Sequence, residues 1–106
     1  MTEQPKRKYL LSDKPQRGLL RILRIQTDKT LLLPSEDIQN DIIQARFKLD
    51  LEMFPCQELQ KEYTEIGLEL FSIEPYLVVD DPKADLVELC KAERAKLQSE
   101  GVPLYT

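Results

Sequence analysis

Asp37 and Asp41 stand four residues apart in a stretch whose apolar residues recur at helical spacing, so one helix face carries two carboxylates. Two such groups could share a divalent cation, but a hard ion wants more oxygen ligands than this pair supplies. No third ligand stands near them in the sequence, so like-charged neighbours on a wet surface are the better reading. Arg17, Arg21 and Arg24 are the second group with chemistry to offer, as contacts for a nucleic-acid phosphate. No aromatic residues interleave with them as a single-strand platform requires, so pairing with acidic neighbours is the simpler role. Arg46, five residues beyond Asp41, projects about 140° away from it around a helix and reads as a surface cation. Cys56 and Cys90 lie too far apart for a self-contained zinc site and fit small core positions.

The absent residues exclude more. With no histidine among 106 residues, the commonest general base and neutral metal ligand are both missing. Ser-His and Cys-His nucleophilic catalysis fall with it. Glycine occurs only at Gly18, Gly67 and Gly101, too sparsely for a phosphate-cradling loop.

The elements that must position these groups can be read in order. Residues 1–17, with Pro5 and Pro15, form an N-terminal arm, and residues 18–106 form a single domain. GLLRILRI from Gly18 reads as a strand, QTDK as a turn with Asp28 at its tip, and TLLLP as a second strand ending at Pro34, an antiparallel hairpin, although Leu-rich runs this short fit a helix equally well. Ser35 is the expected N-cap of a first helix, with Glu36 and Asp37 at its positive end. Ile38, Ile42, Ala45 and Leu49 recur along it, Ile43 and Phe47 widen the stripe, and Pro55 closes the element. Leu59, Tyr63 and Ile66 mark a second helix, with Gly67 as its left-handed cap. LFSIEPYLVV reads as a third strand, whose Pro75 belongs at an edge or a bulge. Asp81 before Pro82 is the expected N-cap of a last helix through Leu86, Leu89 or Cys90, and Leu97. Tyr63, Phe47 and Phe71 fit core positions.

Composition agrees with such a domain. Hydrophobic residues make up 42% and charged residues 32%. The net charge of -4 divides into +5 over residues 1–35 and -9 over residues 36–106, so the whole has no general attraction to nucleic acid. No apolar run is long enough to span a membrane, and the N-terminus lacks the pattern of a signal peptide; a cytoplasmic protein is expected.

The order of elements, Gly18-Leu19-Leu20 in the first strand, and Leu31-Leu32-Leu33 followed by Pro34-Ser35 in the second resemble the GIY-YIG endonuclease domain. The segment LQKEYTEIGLELFSIEPYL is similar to the family's pattern LQxxWxxxGxxxFxxxIL, which Leu59, Gln60, Tyr63, Gly67 and Phe71 fit without a gap. The resemblance runs from residue 18 to about residue 100. It implies an α+β fold with a three-stranded antiparallel sheet, element order ββααβα, flanked by helices. It also implies a phosphodiester site built from two tyrosines, an arginine on the first helix and a metal-binding glutamate on the last. Carried over residue by residue, the tyrosines fall on Leu20 and Leu31, the second-tripeptide glycine on Leu33 and the arginine on Asp41. A histidine or tyrosine often found one turn later falls on Ala45. The glutamate falls near Cys90, with Glu88 and Glu93 the nearest acids. Losing one preorganised donor typically removes about 100- to 1000-fold in rate, and here several are gone and one has become an anion.

These residues imply no catalytic set and no cofactor, with Mg2+ or Mn2+ entering only if a rearranged site uses Glu88 or Asp41. The expected role is binding or assembly. A homodimer or a protein partner would use an apolar hairpin surface, unless Tyr9, Leu10 and Leu11 of the arm cover it. The alternatives are a metal-dependent DNA endonuclease with a rearranged site, and a nucleic-acid-binding relic using Arg17, Arg21 and Arg24.

Overall fold

The computed structural model describes residues 15–105. Residues 1–14, which hold Tyr9, Leu10, Leu11 and most of the expected arm, lie outside the described residues. The chain forms β1 (Arg17–Arg24), β2 (Lys29–Ser35), α1 (Ile38–Asp50), α2 (Gln57–Ile66), a 3-10 turn (Leu68–Leu70), β3 (Phe71–Val79) and α3 (Leu86–Ser99). This is the expected ββααβα order. The strands form one antiparallel sheet in the order β2-β1-β3.

β1 is central, and alternation along it explains its unbroken apolar run. Leu20 and Ile22 face α1 and α2, where they pack with Leu31, Ile38, Ala45, Leu49, Leu59, Tyr63 and Phe71. Leu19 turns the other way and packs with Leu32 and with Cys90 of α3. Gly18 is fixed by space, since a Cβ there would lie 1.9 Å from the Leu77 carbonyl oxygen. Asp28 takes positive φ (61°) at the tip of the hairpin turn, as its short polar side chain allows. Pro75 satisfies both readings of its place. β3 is an edge strand, and the register jumps from Leu19 opposite Leu77 to Leu20 opposite Pro75, leaving Tyr76 as a bulge.

Several local expectations are corrected. The N-cap of α1 is Asp37, which accepts from the Asn40 amide; Ser35 is drawn into β2 by its pairing with Gly18. Asp85, four residues later than expected, caps α3 by accepting from the Val87 and Glu88 amides, while Asp81 caps only a turn at Lys83. Gly67 has positive φ but an extended ψ of 158°, because the chain enters the 3-10 turn and then β3 there. Ile43 and Phe47 point to solvent, since the sheet fills only the side of α1 that carries Ile38, Ala45 and Leu49. Among the described residues, no helix is long and apolar enough to cross a membrane.

The last contact has no local signature along the chain. Beyond α3 the chain returns to the outer edge of β2, where Thr30 donates to Pro103 O and accepts from the Tyr105 amide, both at 2.9 Å. Tyr105 is fully buried in the core beneath α2. Its hydroxyl donates to Glu62 at 2.6 Å, and the Lys29 ammonium sits 4.6 Å from its ring centroid.

Candidate functional site

A cleft of about 460 Å³ opens between the hairpin and α1. The strands contribute Leu20, Leu31, Leu33 and Pro34. Leu20 and Leu33 are register partners, and Leu31 lies two residues along the same face. Opposite them, Asp41, Gln44, Ala45 and Lys48 occupy successive turns of one α1 face. Phe54, Pro55 and Cys56 of the α1–α2 connection close the far end. The positions that the resemblance assigns to the two tyrosines, the arginine and the residue one turn later are therefore brought together: Leu20, Leu31, Asp41 and Ala45 line one cleft.

The floor is aliphatic and packed. Leu20 is 1% and Leu31 8% exposed, so the hairpin leucines form the base of a recess and not a projecting apolar surface. The polar groups all come from α1. Asp41 accepts the Ser35 hydroxyl proton at 2.5 Å, and that same hydroxyl oxygen accepts from the Asp37 amide at 3.2 Å. This pair ties the first turn of α1 to the end of β2. Asp41 therefore brings a carboxylate, already engaged, to the place of a cation. Asp37 is used in capping and does not join it. Lys48, seven residues after Asp41, adds the cleft's positive charge at the other end of the same face.

The donor set does not fit a catalytic divalent ion. Mg2+ and Mn2+ need several oxygen ligands in near-octahedral order, and the cleft offers one carboxylate and one amide. Among the described residues there is no group of three His, Cys, Asp or Glu side chains able to hold a metal. The acids of α3 lie elsewhere, because α3 packs on the opposite face of the sheet. Glu88 is exposed and pairs with Lys91 at 3.3 Å. Glu93 accepts from the Tyr76 hydroxyl at 3.3 Å. Cys90 is buried with its sulfur 3.5 Å from Leu32 O, and burial pushes its thiol pKa up.

The three candidate arginines do not converge. Arg17 and Arg21 alternate onto the α3 side of the sheet, whereas Arg24 lies on the side of α2. Each holds a carboxylate. Arg17 grips Glu36 (2.6 Å) together with the carbonyls of Asp81 and Ala84, and its hydrogen bond keeps the Glu36 carboxyl below its ordinary range. Arg21 pairs with Glu74 and lies over the Tyr76 ring, 5.6 Å from its centroid. Arg24 pairs with Glu62 at 2.9 Å.

Residue-by-residue transfer along the chain missed Gln44, Lys48 and the Phe54–Cys56 wall. Gln44 and Lys48 were recoverable, since they share a helix face with Asp41 and Ala45. The loop residues carry no periodic signal. The Glu62–Tyr105 contact spans 43 residues and has no local signature.

No family model matches the chain, and no curated protein matches it. Among solved structures, it is similar to the catalytic domain of the homing endonuclease I-TevI, with a TM-score of 0.71 at 16% identity, over 84% of this chain and 95% of that one. A point mutant of the intron endonuclease I-TevI catalytic domain aligns with the same TM-score at 15% identity, over 86% and 92%. The chain thus has the three-stranded, three-helix α+β fold of a GIY-YIG nuclease domain.

Proposed function

We propose that this is a nuclease-like domain that does not cleave phosphodiesters and acts by binding or assembly through its remodelled cleft. The observation that carries the reading is the lining itself: Leu20, Leu31, Leu33 and Ala45 surround the recess, and its one carboxylate, Asp41, is bonded to Ser35. Such a floor has no hydroxyl to orient a nucleophile. A dianionic transition state there meets an anion where stabilising donors are needed. A recess this size, mostly apolar with a few polar groups at its margin, suits instead an apolar side chain of a protein partner.

The test is supercoiled plasmid incubated with Mg2+ or Mn2+, followed on a gel. No nicking above a buffer control is expected. Nicking that disappears in Asp41→Ala or Glu88→Ala would establish a rearranged metal-dependent nuclease and sink the reading. Nucleic-acid retention by Arg17, Arg21 and Arg24 is not favoured, because a phosphate would have to displace a carboxylate from each. A gel-shift lost steeply with salt and abolished by charge reversal at those arginines would restore it.

A further inference from the structure

α1 has two apolar faces, and the fold uses one. Ile38, Ala45 and Leu49 are buried, whereas Ile43 and Phe47 on the opposite side are 64% and 58% exposed. Leu51 and Met53 follow at 51% and 67%. Isolated exposed apolar residues are ordinary. Four large ones within eleven residues, three of them at spacings of four along one row, are a patch.

We infer that this face docks a second copy of the chain, α1 against α1 in antiparallel order about a two-fold axis at Phe47. A two-fold interface has to be complementary to itself, and the row meets that condition. Ile43 stands four residues before Phe47 and Leu51 four after, so rotation lays Ile43 of each copy on Leu51 of the other and Phe47 on Phe47. The flanking charges meet it as well. Arg46 and Asp50 stand four apart on the same side of the row, and antiparallel order brings each Arg46 alongside the other copy's Asp50. A parallel two-fold would instead set that flank against the other copy's Gln44 and Lys48, leaving Arg46 no acidic partner across the interface. Asp50 is held on that flank by the Tyr63 hydroxyl, which donates to it at 2.6 Å. On the other flank Gln44 and Lys48 turn toward the cleft. One helix face makes a small interface, so the dimer is weak and concentration-dependent. It does not depend on whether the cleft cleaves anything.

Sedimentation equilibrium from about 1 μM to about 1 mM spans the affinities such an interface gives. A reversible dimer is expected, and Phe47→Glu should weaken it by about tenfold or more. Because Phe47 lies outside the core, its melting temperature should hold. Cysteine substitution reads the axis directly. Under mild oxidation Phe47→Cys should give a disulfide-linked dimer, Ile43→Cys alone none, and Ile43→Cys mixed with Leu51→Cys a crosslinked pair. A monomer over the whole range overturns the inference. So does a dimer indifferent to Phe47→Glu, or one crosslinked by Ile43→Cys alone.

Discussion

Glu62 shows how much one carboxylate can hold when it sits between elements. It receives Arg24 from β1 at 2.9 Å and the Tyr105 hydroxyl at 2.6 Å, with the Lys29 ammonium of β2 at 3.8 Å. Burial alone would raise its pKa, but the hydrogen bonds from Tyr105 and Arg24 and the two positive charges outweigh that and hold it below the ordinary 4.5. The contribution to stability is therefore present above pH 4.5 and is lost as pH falls from there through the lowered value. Glu62→Gln should lower the melting temperature at neutral pH, and its deficit against the parent protein should shrink steadily as the buffer is acidified below pH 4.5. A deficit that stays constant with pH would mean that Glu62 acts by packing alone. Tyr63 behaves oppositely at alkaline pH. Burial, then its hydrogen bond to Asp50, pushes the phenol pKa up to about 12, so this contact survives well past the ordinary value of 10.0.

At the scale of elements, the caps separate what local sequence can and cannot announce. Asp85 accepts from two amides at the start of α3, and Asp85→Ala should cost about 1 kcal/mol by chemical denaturation. Asp81→Ala removes only a turn contact and should cost about half that or less, a comparison that decides which residue starts the helix. Sequence favoured Asp81 because Pro82 follows it, a legitimate helix-start signal that the Arg17 clamp on the Asp81 and Ala84 carbonyls overrides. The same holds for Ser35, a good cap by type that strand pairing claims first. Periodicity made three strands, three helices and the core residues Leu49, Leu59, Tyr63 and Phe71 legible, whereas the meeting of Leu20, Leu31 and Asp41 at one cleft followed from the family resemblance. Periodicity also assigned Ile43 and Phe47 to the interior, because a helical wheel marks apolar residues without saying how much of the circle has a neighbour.

For the whole molecule, the main core is closed by a residue from the far end of the described chain. Tyr105 is fully buried among side chains of β1, β2, α1, α2 and β3. Tyr105→Ala should therefore destabilise the entire domain by about 3 to 5 kcal/mol, measured as a shift in the urea midpoint, although it lies outside every helix and strand. A change confined to local fraying near Thr30, with the midpoint unmoved, would show that the tail is peripheral. Tyr105→Phe keeps the packing and loses the bond to the Glu62 carboxylate, and should cost about 1.5 to 3 kcal/mol.

This placement bears on how the protein is made. During synthesis, everything up to α3 emerges with a hole where the phenol ring belongs, so the ribosome must deliver nearly all the described chain before the interior can seal. Until then the apolar side chains that the ring later covers stay open to wrong contacts.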